Sequence, residues 1–306
     1  MQNAGKSSDK SKTSGRVIGT ITARMASTRL PGKVLRKIAG KSLFAHHVER
    51  MKEVEGIDGV FLATSKDPLN KQLIEEAESL GCGWYAGAEE NIVHRHIGLC
   101  ERENADAFIR ATCDSPFFDI ESASCYVKEF KKQYRDYIYV SNMTMIQGTI
   151  PELISYKALL ETHKHYRGAA VSVYIKENMS KFKTSALEMD ADLCRPEYRL
   201  TIDEASDMEM ISRIYDALYK GKPLDLRSVY AWLDDNPLVA KINMHVGIKG
   251  CEEHSANLTE KPVYSILRSG SGYVILDEQK RKIEQEDFLK KIADIMPFFK
   301  KFITKD

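Results

Sequence analysis

Three basic side chains stand close together in one short segment of this chain, and their types suit an anionic ligand. The segment carries Arg24, Arg29 and Lys33, together with the hydroxyl residues Ser27 and Thr28. Arginine binds phosphate oxygens in a bidentate fork, and lysine adds a compact positive charge. These residue types predict a polyphosphate site. From composition alone, the alternative is an ordinary basic surface loop.

An apolar, β-branched run precedes the basic segment, and a Pro-Gly pair lies within it. Val17 to Ala23 predicts a short buried strand, and Pro31-Gly32 predicts a turn. Because ligands of open α/β sheets bind outside the carboxyl ends of the strands, we expect the loop at that edge. It is not a Walker A loop, since Ser27 stands where that motif needs Gly and Val34 where it needs Ser or Thr.

Two aspartates follow later apolar runs, which are predicted as further strands. Asp114 comes after the run from Ala107 to Ala111, and Asp203 ends the run L-T-I-D. Taken singly, an aspartate at a strand end is more often a turn or cap residue. Asp207 lies one helical turn beyond Asp203, at the start of an amphipathic helix, where a capping carboxylate is favoured.

The string A-R-M-A-S-T-R-L-P-G-K, residues 23–33, closely resembles the signature loop of the nucleotide-sugar cytidylyltransferases. The string L-T-I-D-E-A-S-D resembles the second acidic signature of the same family. The nearest branch is the spore-coat polysaccharide cytidylyltransferases, and the CMP-Kdo and CMP-sialic acid synthetases are more distant. The resemblance covers residues 16–243, and it is weakest between Thr144 and Arg195.

The resemblance implies a site for CTP and Mg²⁺. Arg95 matches a G-x-x-x-x-V-x-x-R element, although it could equally lie on a solvated helix face, and Arg110 opens the string R-A-T-C-D-S-P. The implied nucleotide-binding residues are Ala23, Arg24, Ser27, Thr28, Arg29, Lys33, Arg95 and Arg110. The implied catalytic residues are Arg24, Lys33 and Asp114, and the implied metal ligands are Asp114 and Asp203. Both strands that precede these aspartates are expected beside the Val17 strand.

The part of the chain that would face the acceptor departs from the family pattern. Relatives carry R-E-H-V-T where this chain has R-G-A-A-V-S, from Arg167 to Ser172, and the segment from Gln147 to Leu153 also differs. The acidic and imidazole groups expected to hold a sugar acid are therefore missing. The resemblance implies transfer of CMP from CTP to a sugar or sugar acid for surface polysaccharide. The alternatives are a phosphonate or polyol acceptor, and a catalytically weak nucleotide-binding homologue.

Alternating strand and helix patterns predict a doubly wound, mostly parallel α/β sheet, and the resemblance implies its Rossmann-like nucleotide-diphospho-sugar transferase type. We expect a disordered tail at 1–15, because that stretch lacks apolar anchors, and a cytidylyltransferase domain at 16–243. Residues 141–192 are expected to form an inserted subdomain, with strands at 170–175 and 184–189, that covers the acceptor and makes a homodimer contact. Residues 244–306 are an extension without a functional interpretation; they contain a predicted turn at 269–272 and a predicted helix at 286–295.

Composition sets further limits on function. Lysine and arginine number 45 against 44 acidic residues, so the net charge of +1 gives no support to nucleic-acid or membrane-surface binding. The six cysteines form no C-x-x-C pair, which is typical of reduced thiols in a cytoplasmic protein. No segment approaches the length of a membrane span, and no apolar signal region opens the chain.

Overall fold

A computed structural model describes residues 15–246 except 28, 141–147, 169, 189, 194 and 196, together with three strands between 265 and 283. Several sequence predictions therefore lie outside the described residues. They are the predicted tail at 1–15 apart from Gly15, the nucleotide-binding role of Thr28, the middle of the turn at 269–272 and the helix at 286–295. Among the helices that the structure describes, none is long and apolar enough to span a membrane.

A seven-stranded sheet forms the centre of the fold. Its strands are β1 Val17–Thr22, β4 Val60–Ser65, β5 Gly83–Gly87, β6 Ala107–Thr112, β7 Tyr137–Val140, β8 Glu152–Ser155 and β9 Thr184–Leu187. Their order across the sheet is β5-β4-β1-β6-β8-β7-β9. The strand β1 lies between β4 and β6 and runs parallel to both. Strand β8 runs antiparallel to both of its neighbours, whereas the other pairings of this sheet are parallel.

Two smaller sheets lie outside this one. A two-stranded sheet contains β2 Lys37–Ile38 and β3 Lys41–Ser42, and a three-stranded sheet contains β10 Ser265–Ser269, β11 Gly272–Leu276 and β12 Lys282–Ile283. The helices are α1 Leu43–Lys52, α2 Lys71–Ser79, α3 Ile92–Glu103, α4 Ile120–Lys132, α5 Tyr156–His165, α6 Val173–Glu177, α7 Ala205–Leu218, α8 Leu226–Asp235 and α9 Pro237–Ala240.

Alternate residues of the central strands belong to two separate hydrophobic cores, one on each face of the sheet. Val17 and Ile21 of β1 belong to one core, with apolar residues of α1, α2, α4, α7 and α8. Ile18 belongs to the other, with apolar residues of α3, α5 and α6. This division follows from the period of two along a strand, which sends successive side chains to opposite faces. The predicted doubly wound, mostly parallel sheet is confirmed, with β8 as its antiparallel strand.

Two predicted strands are wrong. The run that ends at Asp203 forms no strand in the described part of the chain; Leu200 and Ile202 are buried, and hydrogen bonds to a neighbouring loop hold the run instead of a ladder. The apolar run at 170–175 leads into the short helix α6. Its β-branched residues resemble a strand, but Val171 and Ile175 are both buried at helical spacing.

The other predicted elements occur with ends shifted by a few residues, as expected for boundaries. The predicted strands at 17–23 and 107–111 occur as β1 and β6, each with its end shifted by one residue. In the segment 141–192, strands β8 and β9 join the central sheet. The division of the chain into domains and the homodimer contact stay predictions.

Candidate functional site

The basic loop follows β1 directly at the carboxyl edge of the sheet, and its backbone is fixed by hydrogen bonds. Gly32 adopts a left-handed conformation with φ of 67°, which glycine tolerates without strain, and its N–H donates to the carbonyl of Met25 at 3.1 Å. The buried side chain of Asn70 accepts a hydrogen bond from the Met25 N–H at 2.8 Å. The Ser27 hydroxyl accepts from the Leu30 N–H at 3.4 Å. These bonds fix the backbone of the described loop residues on both sides of position 28.

Each of the three cations contacts an acceptor from another segment. Arg24 Nη1 lies 3.0 Å from Glu89 Oε1, and both side chains are about half exposed. Arg29 Nη2 donates to Asp203 Oδ1 at 2.7 Å. Lys33 Nζ donates to the carbonyl of Ile202 at 2.5 Å. The loop and the acidic segment are thus in direct contact.

Asp114 follows β6, which is a neighbour of β1 as predicted. Its carbonyl accepts hydrogen bonds from the Ile202 N–H at 2.7 Å and from the Thr201 hydroxyl at 3.1 Å. These bonds bring the segment that contains Asp203 to the same sheet edge, although that segment is not a strand. Burial acts to raise the pKa of Asp114, but the Lys33 ammonium and two neighbouring hydroxyls outweigh it and lower that pKa. Asp114 is therefore ionised near neutral pH.

The two aspartates suit a hard divalent cation that keeps other oxygen ligands. Among the described residues, no cluster of three or more His, Cys, Asp or Glu side chains could enclose a metal ion. Mg²⁺ needs no such cage, because it is commonly held by one or two carboxylates together with waters and phosphate oxygens. The Arg29 guanidinium pairs with Asp203 Oδ1, so this oxygen already accepts a positive charge beside it. The donor set therefore fits Mg²⁺ bound together with a nucleotide.

Arg95 is almost completely buried, so the solvated-face interpretation of this residue is wrong. Its Nη2 donates to the carbonyls of Ala88 and Glu89, each at 2.7 Å, and its Nε donates to Ala88 at 3.0 Å. Gly87 permits this packing, because a Cβ there would lie 2.8 Å from Arg95 Cγ. The structure thus places Arg95 on the backbone of the loop whose Glu89 carboxylate contacts Arg24.

Arg110 makes no hydrogen bond or ion pair with the described residues of the basic loop. Its Nη1 lies 3.1 Å from Glu152 Oε2, on the neighbouring strand β8. Glu152 also accepts hydrogen bonds from the Tyr137 hydroxyl at 2.8 Å and from Lys176 at 2.7 Å. Burial acts to raise the pKa of Glu152, but Lys176 and Arg110 outweigh it and hold that pKa far below its ordinary value. This charge cluster joins β6, β7, β8 and α6.

Two further residues near the site were not found by sequence reasoning. His96 is buried; its Nδ1 lies 2.9 Å from the Ile92 carbonyl and its Nε2 lies 3.3 Å from the hydroxyl of Thr22, the last residue of β1. Since a carbonyl only accepts, Nδ1 carries the proton and Nε2 accepts from Thr22. Arg199 contacts Asp203 and Asp207. Its spacing of four residues from Asp203 was the available signal.

The chain resembles known proteins over most of its length. A family model described as "Cytidylyltransferase" matches residues 18–231. An uncharacterized protein of Methanocaldococcus jannaschii is 30% identical over 245 residues, which are 78% of this chain and 98% of that protein. The spore coat polysaccharide biosynthesis protein SpsF of Bacillus subtilis is 28% identical over 231 residues, 72% of this chain and 95% of that protein.

Solved structures share the fold. A cytidylyltransferase from Leptospira borgpetersenii serovar Hardjo-bovis has a TM-score of 0.69 at 23% identity, covering 74% of this chain and 97% of that one. The CTP complex of CMP:2-keto-3-deoxy-manno-octonic acid synthetase has a TM-score of 0.50 at 16% identity, covering 66% and 98%. These likenesses agree with the Rossmann-like nucleotidyltransferase type of the sheet.

Proposed function

The chain belongs to the cytidylyltransferase family, and from that membership we propose that it transfers CMP from CTP to a sugar or sugar acid and releases pyrophosphate. The product would be an activated sugar for a surface polysaccharide, made in the cytoplasm. The similarity to the spore coat polysaccharide biosynthesis protein SpsF supports this kind of product.

One observation carries the proposal: a basic loop and two carboxylates meet at one sheet edge. Arg29 contacts Asp203 at 2.7 Å, and Lys33 donates to the Ile202 carbonyl. The N–H of Ile202 in turn donates to the Asp114 carbonyl. A triphosphate needs cations for its oxygens and a divalent ion between it and the carboxylates. This edge supplies both kinds of group within a few side-chain lengths.

In the proposed reaction, an acceptor oxygen forms a bond to the α-phosphorus of CTP while the bond to the pyrophosphate oxygen breaks. Positioning and charge neutralisation supply most of the rate enhancement in such transfers. Arg24, Arg29 and Lys33 would hold the phosphate oxygens and stabilise the charge that develops on pyrophosphate. Asp114 and Asp203 would hold Mg²⁺, which when bound neutralises the charge between them and the triphosphate.

A polyol or another neutral acceptor is a second candidate, favoured by the charge cluster on Glu152. The cationic groups of Arg110 and Lys176 both contact the Glu152 carboxylate. Paired in this way, they carry less attraction for the carboxylate of a sugar acid. The altered segment from Arg167 to Ser172 supports the same alternative, since it lacks the polar groups of the family pattern.

The direct experiment is an assay of pyrophosphate release with each of the four nucleoside triphosphates and a panel of acceptors. The panel contains sugar acids, neutral sugars, polyols and phosphonates, and mass spectrometry identifies each product. We expect release only with CTP, Mg²⁺ and a matching acceptor. Release with another nucleotide, or transfer to none of these acceptor classes, would contradict the proposal.

We also propose that residues 141–192 contribute to a homodimer, as the family resemblance implies. Sedimentation equilibrium measures the mass in solution directly. A dimer mass is expected across the micromolar range, and a monomer with full activity would contradict this part.

A further inference from the structure

Asp207 is a fully buried carboxylate beside the candidate metal site, and it carries more contacts than a helix cap needs. Its oxygens accept hydrogen bonds from the N–H groups of Asp203 at 2.9 Å and Glu204 at 3.0 Å. They also accept from Arg199 Nε at 3.0 Å and from Asn243 Nδ2 at 2.9 Å. Its side chain is 0% exposed. Asp207 is thus held from four directions.

Arg199 links Asp207 to Asp203, because its guanidinium contacts both carboxylates. Its Nη2 donates to Asp203 Oδ2 at 2.7 Å, while its Nε and Nη2 both contact Asp207. The Arg199 side chain is 11% exposed. A guanidinium is planar and rigid. Because the Arg199 guanidinium is fixed on the Asp207 carboxylate, the angle at which it donates to the Asp203 carboxylate is fixed as well.

The two oxygens of Asp203 therefore have different environments. Oδ2 is bound by the buried Arg199, whereas Oδ1 is bound at 2.7 Å by Arg29, whose side chain is 47% exposed. A half-exposed guanidinium can leave the pair for water without becoming a buried, unpaired charge, whereas a buried guanidinium cannot. Oδ1 is thus the oxygen that a divalent cation can reach.

We propose that Asp207, acting through Arg199, is a positioning residue that presents Asp203 Oδ1 to the cation of the proposed nucleotide site. This inference rests on the proposed function. The capping box of α7 by itself explains the contact of Asp207 to the N–H of Glu204, the N-cap residue. It does not explain a second buried charge, because placing Arg199 against Asp207 out of water has a desolvation cost that capping does not require.

The test measures two quantities. The first is the half-saturating Mg²⁺ concentration, at which half of the metal-dependent increase in CTP affinity is reached. The second is the dissociation constant for CTP without metal. The variants are Asp207→Asn and Arg199→Lys, with Asp225→Asn as the matched control. Asp225 caps the N-terminus of α8 by accepting from the Ser228 N–H, so Asp225→Asn removes a capping carboxylate from a different helix. Calorimetric titration reports binding without any need for an acceptor or for turnover.

Removal of such supporting contacts typically weakens metal binding by about tenfold to a hundredfold. We therefore expect Asp207→Asn and Arg199→Lys each to raise the half-saturating Mg²⁺ concentration by about tenfold. Metal-free CTP binding and the control variant should stay at wild-type values. The double variant Asp203→Asn/Asp207→Asn should bind CTP, with and without Mg²⁺, as Asp203→Asn does, because residues that act in series are not additive.

A wild-type Mg²⁺ requirement in folded Asp207→Asn, or additive effects in the double variant, would overturn the inference. If Asp207→Asn fails to fold, Arg199→Lys decides, since it keeps a positive charge but loses the fork. Loss of thermal stability with an unchanged Mg²⁺ requirement would reduce Asp207 to a helix cap. A wild-type protein that binds no CTP would instead overturn the proposed function, and this inference with it.

Discussion

Arg29 and Asp203 form an ion pair across 2.7 Å that joins the basic loop to the acidic segment. The cation predicted to bind phosphate thus contacts the carboxylate predicted to bind metal. In the proposed site, Arg29 would bind the triphosphate and Asp203 would bind Mg²⁺. We therefore expect an exchange in which Arg29 leaves Asp203 for the triphosphate as the metal ion binds.

The exchange predicts opposite effects of Asp203→Asn on two binding constants. Removing the charge frees Arg29 and reduces repulsion of the triphosphate, so metal-free CTP binding should strengthen by about 1 kcal/mol, or roughly fivefold. Mg²⁺ should no longer strengthen binding. Calorimetric titration with and without Mg²⁺ measures both. Metal-free binding that is weaker than wild type would contradict the exchange.

Arg24 and Lys33 are expected to bind the CTP phosphates directly. Each charge-assisted contact is worth about 1.5–3 kcal/mol, so Arg24→Ala or Lys33→Ala should weaken CTP binding by about tenfold to a hundredfold. Lys37→Ala is the matched control, since Lys37 is an exposed cation on the nearby strand β2. Wild-type CTP affinity in either loop variant, with the fold intact by circular dichroism, would refute the phosphate role.

Arg95 should contribute to stability through the carbonyls that it binds. Arg95→Met leaves the Ala88 and Glu89 carbonyls without this donor, which should lower the free energy of unfolding by about 2–3 kcal/mol. The control Arg102→Met removes a partly exposed arginine of the same helix and should cost less than about 0.5 kcal/mol. Urea unfolding measures both. Lost CTP affinity at wild-type stability would favour direct nucleotide binding by Arg95 instead.

Sequence patterns were sufficient for the sheet edge but not for the contacts made there. The apolar run before Arg24 and the alternation of elements predict β1 and a ligand edge, because burial period and connection rules are local. The pair of Arg29 and Asp203 joins positions 174 residues apart, which no local pattern encodes. Val171 and Ile175 show the other limit, since a short β-branched run is ambiguous between strand and helix.

His96 predicts a pH dependence of stability. Burial, with the nearby charges of Arg110 and Arg95, lowers the pKa of His96 from 6.5 to about 3. Below pH 6.5, His96 therefore binds a proton in the unfolded chain but not in the folded protein. The contribution of His96 to the free energy of unfolding is complete above pH 6.5 and decreases as the pH falls towards 3. Between pH 6.5 and 4.5 the loss amounts to roughly 2–3 kcal/mol.

The variant His96→Phe isolates this effect from that of the buried carboxylates. A phenyl ring can keep the stack on Phe108, whose ring centroid lies 4.8 Å from that of His96. Its free energy of unfolding should fall less between pH 6.5 and 4.5 than that of the wild type. Parallel stability profiles for the two proteins would show that His96 titrates alike in the folded and unfolded states.

The most direct test of the site is calorimetric titration of the wild-type protein with CTP, UTP, ATP and GTP in the presence of Mg²⁺, since binding needs no knowledge of the acceptor. Asp114→Asn, which keeps the shape of the side chain and removes its charge, is titrated alongside. We expect CTP to bind at least tenfold more tightly than the other three, and Asp114→Asn to lose the strengthening by Mg²⁺. Equal binding of all four nucleotides, or binding of CTP that does not depend on Mg²⁺ or on Asp114, would contradict the proposed CTP and metal site.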